Sequence, residues 1–160
     1  MAKTSTTSNL ASELGKREVF SSLRQETYLN LVRTHEQLSS ELAHFFKSYG
    51  LSDAQYNALR ILRGEGKPMR VHQIAERMIF ESTDISRLID RLHASELVRR
   101  DDCGEDRRVV WISLTEKAIK ILKKMDPPLK QIHEAQFTKL SDRDLAILNK
   151  LLFRARKHAD

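Results

Sequence analysis

Ser82, Thr83, Ser86 and Arg87 stand close together in the segment ESTDISRLIDRLHA, whose apolar residues recur at helical spacing. Ile85, Leu88, Ile89 and Leu92 form the i, i+3, i+4, i+7 stripe of a helix with one face to bury. Opposite that stripe the spacing predicts an outward face of Thr83, Ser86, Arg87 and Asp90, with Ser82 at its N-terminal end. Arginine bonds guanine bidentately and serine or threonine bonds either kind of base edge, so such a face suits a DNA major groove. Further on, Asp106, Arg107 and Arg108 fall at the tip of a predicted hairpin. An arginine there suits a minor groove that is narrow and strongly negative where A·T-rich, because the field holds it as much as any base contact does. An outward polar face is ordinarily only solvated. The charged hairpin that follows the helix is what turns this one toward nucleic acid.

Three elements must hold these residues. Val71, Ile74, Ala75 and Met78 predict a first short helix, and the Ile85 stripe predicts the second. Leu97 to Asp101 then runs into a Cys-Gly turn. Val109 to Leu114 alternates as a strand, with Val109, Trp111 and Ser113 on one side and Val110, Ile112 and Leu114 on the other. Two short helices and a charged two-stranded ribbon between Val71 and Thr115 outline a winged helix-turn-helix.

The segment ESTDISRLIDRLHASELVRR, followed by DRRVVWISLT, resembles the MarR family of winged-helix transcriptional regulators. The family's wing pattern is Asp, any residue, Arg, five residues, Leu, Thr, and Asp106, Arg108, Leu114 and Thr115 fill all four fixed positions. The likeness extends over about Arg17 to His158 in the order of elements, with its sharp motifs between Glu81 and Thr115. It implies that Arg108 is the minor-groove arginine, that Asp106 helps hold it, and that Ser82, Thr83, Ser86 and Arg87 face the major groove. It also implies that Arg91 contacts phosphate or ties the helix to the wing. Where the family often has glycine, after the first helix and at the end of the second, this chain has Ile79 and Glu96. A left-handed residue is predicted at Glu96, at a cost of about 1 kcal/mol relative to glycine.

The expected architecture is mainly α with a small β-hairpin wing: a winged helix-turn-helix over 51–115, flanked by dimerisation helices over 17–50 and 116–160, after a disordered Ser/Thr-rich tail over 1–16. Arg17 to Tyr49 holds no Pro or Gly and predicts one helix of about 50 Å. That exceeds the roughly 40 Å span of a 160-residue globule, so a second chain is expected to cover its apolar side. Ser52 with Gln55 predicts a capping box for a helix ending near Arg63, and Arg63 to Pro68 reads as a turn. Thr115 and Ser141 are predicted caps, and Pro127–Pro128 predicts a kink or restart between them. Leu145, Leu148, Leu151 and Leu152 give the last helix an apolar side.

The formal charge of +6 suits a polyanionic partner, yet the excess lies in residues 109–160, with 11 basic against 6 acidic residues, rather than in the helix-turn-helix. Charge arrangement, not net charge, therefore carries the nucleic-acid reading. No apolar run approaches a membrane span and the N-terminus lacks a signal-peptide core, so a cytoplasmic protein without membrane contact is expected. Cys103, the sole cysteine, sits among carboxylates that disfavour its thiolate and reads as a surface thiol rather than a redox sensor.

No phosphate loop, dinucleotide glycine pattern, HExxH or GxSxG occurs, so no cofactor, metal or catalytic residue is expected. Pairs such as Asp90 with His93 and Glu41 with His44 share a helix face, as such pairs commonly do without metal. Trp111 reads as wing-root packing rather than a base-stacking platform. The leading expectation is a homodimeric, sequence-specific DNA-binding regulator, a repressor acting on a pseudopalindromic operator and relieved by a small ligand. The resemblance implies an aromatic ligand, with Tyr28, His35 and Tyr49 as candidate contacts. The competing readings are a winged-helix protein-interaction module and a small all-α enzyme.

Overall fold

The computed structural model describes residues 10–17, 20–79, 84–103 and 106–157, with the backbone alone at 102–103 and 106–109. The chain divides into two compact units, Met1–Phe45 and Phe46–Asp160, with the boundary inside a helix.

The first unit holds α1 (Leu10–Glu13) and most of α2 (Leu23–Ser48). The disordered tail expected over 1–16 is corrected for its last part: Leu10–Glu13 is helical, and Leu10 and Ala11 are buried. Local chemistry closes this turn. Gly15 adopts φ 62°, so that Lys16 N–H reaches Ala11 O at 2.8 Å and Gly15 N–H reaches Ser12 O at 3.1 Å. The long helix is also shorter than the Arg17–Tyr49 expected. Ser22 stops it, its Oγ accepting weakly from Gln25 N–H at 3.5 Å while its carbonyl takes Glu26 N–H at 3.1 Å. The S-x-x-Q spacing of Ser22 and Gln25 is the signal that a reading for apolar stripes passes over. Leu23, Tyr28, Leu31 and Val32 of α2 are exposed.

The second unit runs through α3 (Asp53–Glu65), β1 (Met69–Arg70), α4 (Val71–Ala75), α5 (Ile85–Ala94), β2 (Val98–Cys103), β3 (Asp106–Leu114), α6 (Glu116–Gln136) and α7 (Asp142–Arg156). Ser52 caps α3 through the expected box: its Oγ accepts from Gln55 N–H at 3.2 Å, and Gln55 Oε1 accepts from Ser52 N–H at 2.9 Å. The helix passes Arg63 and ends at Gly66, whose φ of 72° lets its N–H return to Leu62 O. The strands form one antiparallel sheet in the order β1-β3-β2, so the ribbon has a third strand that the sequence reading lacks. Met69 pairs with Ile112 and Arg70 with Trp111, while Val98 pairs with Leu114. Leu59, Met69, Ile74, Ile89, Leu92, Val98, Ile112, Leu122 and Met125 are all but fully buried and form the core. Each such burial contributes about 1.5–3 kcal/mol, enough to hold a two-residue strand in place.

Two further elements differ from expectation. Only Val71–Ala75 of the first short helix is helical; Met78 lies beyond its end and Ala75 is exposed, leaving Ile74 as its buried residue. Bonds from Arg77 N–H to Ile74 O and from Met78 N–H to Ala75 O tighten the chain there, and Asn57, buried on α3, accepts Ile79 N–H at 3.0 Å. That side-chain acceptor satisfies the backbone at the point where the family often has glycine.

The second difference is α6, which continues through Pro127 and Pro128 without a restart. An interior proline costs about 3 kcal/mol, but Ala118, Leu122, Met125 and Leu129 lie on one continuous buried face that spans the prolines. Packing outweighs the lost hydrogen bonds. Arg63 adds two bonds of 2.9 Å to the carboxylate of Asp126, just before them. Ser141 caps α7, whose residues all remain at least partly exposed, including Ile147, Leu148, Leu151 and Phe153. Among the described residues, no helix is long and apolar enough to cross a membrane.

Candidate nucleic-acid interface

The second short helix runs from Ile85 to Ala94. Asp84 is its N-cap, accepting Arg87 N–H on Oδ1 at 3.2 Å, so Ser82 and Thr83 precede the helix and lie outside the described residues. The sequence carried the needed signal, since Asp84 is a capping residue immediately before Ile85, the first residue of the apolar stripe. Leu88, Ile89 and Leu92 bury that stripe, which leaves Ser86, Arg87, Asp90 and Arg91 exposed on α5.

Asp84 has a second role. Its Oδ2 takes Arg87 Nε at 3.2 Å, with the arginine side chain still 79% exposed. Arg87 is thus held over the first turn of α5 by a weak, solvated pair that a stronger partner can displace. Arg91, one turn on, is exposed and has no ion-pair partner among the described residues.

A tie between α5 and the ribbon is made by Arg100 on β2, which donates to Asp90 on α5 in a short ion pair. No local spacing links a helix residue to a strand residue ten positions away, and only the assembled fold reveals it. At the ribbon's far end Cys103 pairs with Asp106 across a bulge after Asp102. Asp106, Arg107 and Arg108 therefore belong to the backbone of β3; their side chains, with that of Cys103, lie outside the described residues.

The other end of α5 is clamped by Thr115. Its Oγ1 donates to Glu96 O at 2.8 Å and accepts Ala118 N–H at 3.2 Å, so one hydroxyl joins the end of the reading helix to the start of α6. Glu96 has φ 59°, as expected, and closes α5 with bonds from Leu97 N–H to Leu92 O and from Glu96 N–H to His93 O, both 2.9 Å. Lys117 Nζ covers the same end, 2.9 Å from Ser95 O and 3.2 Å from Glu96 Oε2. Sequence reasoning matched Thr115 to a motif without seeing this double role.

Arg70 stacks its guanidinium 5.1 Å from the centre of the Trp111 ring, which is half-buried at the sheet, in keeping with packing at the wing root. Asp101 on β2 accepts Ser113 Oγ at 2.7 Å and Arg99 Nε at 3.1 Å. The Ser113 hydroxyl, and then Arg99, hold its carboxyl below the usual aspartate range.

Tyr28 and His35 are exposed on α2, and Tyr49 is half-buried just after it. An open cleft of about 770 Å³ lies among α3, α6 and α7, with Tyr56, His133, Phe137 and Leu145 in its walls. Burial pushes the Tyr56 phenol up, and Phe46 stacks on its ring at 4.3 Å. His93 Nδ1 is 3.2 Å from Val98 O and His44 Nδ1 is 2.7 Å from Ser40 O. Among the described residues, no group of three His, Cys, Asp or Glu side chains is placed to hold a metal ion.

The family model for the MarR family matches residues 49–109, from the start of α3 into the wing. A MarR transcription factor of known structure from Planctomyces limnophilus is 41% identical, over 84% of this chain and 98% of that one, with a TM-score of 0.65. The Bacillus subtilis HTH-type transcriptional repressor MdtR is 30% identical over 95 residues, 59% of this chain and 61% of that protein. BpsR of Bordetella bronchiseptica, 20% identical, shares the fold at a TM-score of 0.75 over 88% of this chain and all of its own; its structure describes regulation of DNA binding by 6-hydroxynicotinic acid. The chain spans 57–58% of the length of the Escherichia coli regulators it matches. With the capped reading helix, the three-stranded wing and 41% identity across nearly a whole relative, the chain belongs to the MarR family.

Proposed function

We propose that this protein is a cytoplasmic, homodimeric transcriptional regulator that binds a pseudopalindromic DNA operator in sequence-specific fashion. It acts as a repressor and leaves its operator when a small aromatic ligand binds. The observation that carries this reading is the exposed face of α5, where Ser86, Arg87 and Arg91 stand on a helix anchored by buried Leu88, Ile89 and Leu92. A helix fixed on one side and polar on the other can enter a major groove without rearrangement. Ser82 and Thr83 add hydroxyls at its approach, and Asp106, Arg107 and Arg108 place the wing in the neighbouring minor groove.

A second copy of the chain accounts for the uncovered apolar residues. Leu23, Tyr28, Leu31 and Val32 on α2, and separately Ile147, Leu148, Leu151 and Phe153 on α7, would otherwise face water. Two reading helices related by a two-fold axis match half-sites about 34 Å apart. The repressor role is supported by the name of MdtR, and ligand control by BpsR, whose DNA binding 6-hydroxynicotinic acid regulates. Tyr28, His35 and Tyr49 supply polar contacts to the ligand, which must bind the DNA-incompetent arrangement more tightly than the competent one.

Selection from a random DNA pool tests the reading, followed by competition of the recovered site against random duplex. Recovery of a two-fold motif that random DNA fails to displace is expected. Equal competition by any duplex, or a monomer by light scattering at micromolar concentration, would reject it.

A further inference from the structure

From α3 through α6, one large hydrophobic side chain among the described residues is left exposed: Ile79, at 68%. It follows α4 and stands five residues before Asp84, the cap of α5. Five residues reach at most about 18 Å, so Ile79 stays close to the end of α5 that bears Ser86 and Arg87. Its backbone is pinned. Ile79 N–H donates to Asn57 Oδ1 at 3.0 Å, and Asn57 is buried on α3. Bonds from Arg77 N–H to Ile74 O and from Met78 N–H to Ala75 O, both 3.1 Å, fix the two residues before it. A fixed backbone thus presents a side chain that forgoes the burial an isoleucine ordinarily gains.

We infer that Ile79 reads a thymine, its side chain packing on the 5-methyl group of that base in the major groove. The inference rests on the reading of α5 as the helix that enters that groove, since the turn before such a helix then lies at the groove's edge. Of the base edges in the major groove, thymine alone offers a methyl group, whereas cytosine and adenine present an amino group there. Isoleucine has no acceptor for that amino group, and covering it would strip its hydration without return. An apolar side chain therefore favours thymine over cytosine at one position, independently of any hydrogen bonds made by Ser86 and Arg87. Glycine, which the resembled family often has here, carries no side chain to do this, so the preference belongs to this chain.

The test uses the full-length protein and the site it selects from a random duplex pool, with deoxyuridine replacing each thymine of one half-site in turn. Uracil lacks the methyl group and keeps the pairing. At one position the replacement is expected to weaken wild-type binding about fourfold, the effect of one buried methyl group. Ile79→Ala should bind the thymine and uracil sites equally, and Ile79→Val should keep most of the difference. Ile79 is exposed, so both variants should keep the wild-type melting temperature. A change in DNA shape alone would weaken Ile79→Ala as much as wild type, and would overturn the proposal. So would a selected half-site without thymine, or wild-type binding that no uracil alters. Selection of no preferred site at all would reject the regulator reading along with it, whereas a preferred site indifferent to uracil removes only the role of Ile79.

Discussion

Asp90 of the reading helix and Arg100 of the wing are joined by an ion pair that crosses from α5 to β2. Both side chains remain substantially exposed, 60% and 37%, so the pair contributes below about 1 kcal/mol to folding. Its consequence is orientation: it ties α5 to the ribbon, the two elements proposed to enter neighbouring grooves, and it engages the Asp90 carboxylate. Asp90→Ala and Arg100→Ala should each leave the unfolding midpoint nearly unchanged while weakening operator binding. The double variant should do little more harm than either single one. Strictly additive losses in a double-mutant cycle would show that the two residues act separately.

Arg87 should separate sequence reading from charge. Arg87→Ala is expected to cost about 1–3 kcal/mol of operator affinity and to relax preference at one base pair. A uniform loss on every duplex would make it a phosphate contact. Asp84→Asn keeps a good helix cap but releases Arg87 from its pair, so stability should hold within a few tenths of a kcal/mol while non-specific DNA binding tightens. Titration with specific and random duplexes at fixed salt distinguishes these outcomes.

Glu96 holds a left-handed conformation that glycine adopts without strain. Glu96→Gly should therefore stabilise the protein by about 1 kcal/mol, less the small contribution of its exposed pair with Lys117. Glu96→Ala retains the Cβ and loses the pair, so it should bring no gain. Denaturant melts of both variants check the sign.

Asp101 gives the wing root a dependence on acid. Its folded-state pKa is depressed, first by the Ser113 hydroxyl and then by Arg99. The associated stability is present above the ordinary aspartate range and lost as pH falls through the lower folded value. Ser113→Ala should move the Asp101 carboxyl upward in an NMR titration, and the variant should lose less stability than wild type on acidification. An unmoved titration would assign the depression to Arg99.

The caps were legible because they are local chemistry. Ser52 with Gln55, Thr115 and Ser141 each announce themselves through a side chain and a backbone N–H a few residues apart, and all three cap helices. The left-handed Glu96 was legible too, from the motif around it. Met69–Arg70 was not, since two residues carry no period and their strand exists only because β3 is there to pair. At Pro127 and Pro128 the restart alone is overturned, for the same reason: their local cost is plain in the sequence, but the compensating face of Leu122, Met125 and Leu129 depends on what lies beneath it. At the interface, residue types pointed to α5 and the wing. The Asp90–Arg100 tie and the double bond of Thr115 depend on distances between elements, which no spacing encodes.

The uninterrupted run of α6 has a mechanical consequence. From its cap at Thr115, bonded to the end of α5, to Gln136 it extends about 30 Å as one continuous helix. A hinge at Pro127–Pro128 would absorb a push applied at the far end, whereas an unbroken shaft passes it on as a tilt of α5 and the ribbon. Anything that shifts the far end of that helix then has leverage over how α5 and the ribbon are presented to DNA.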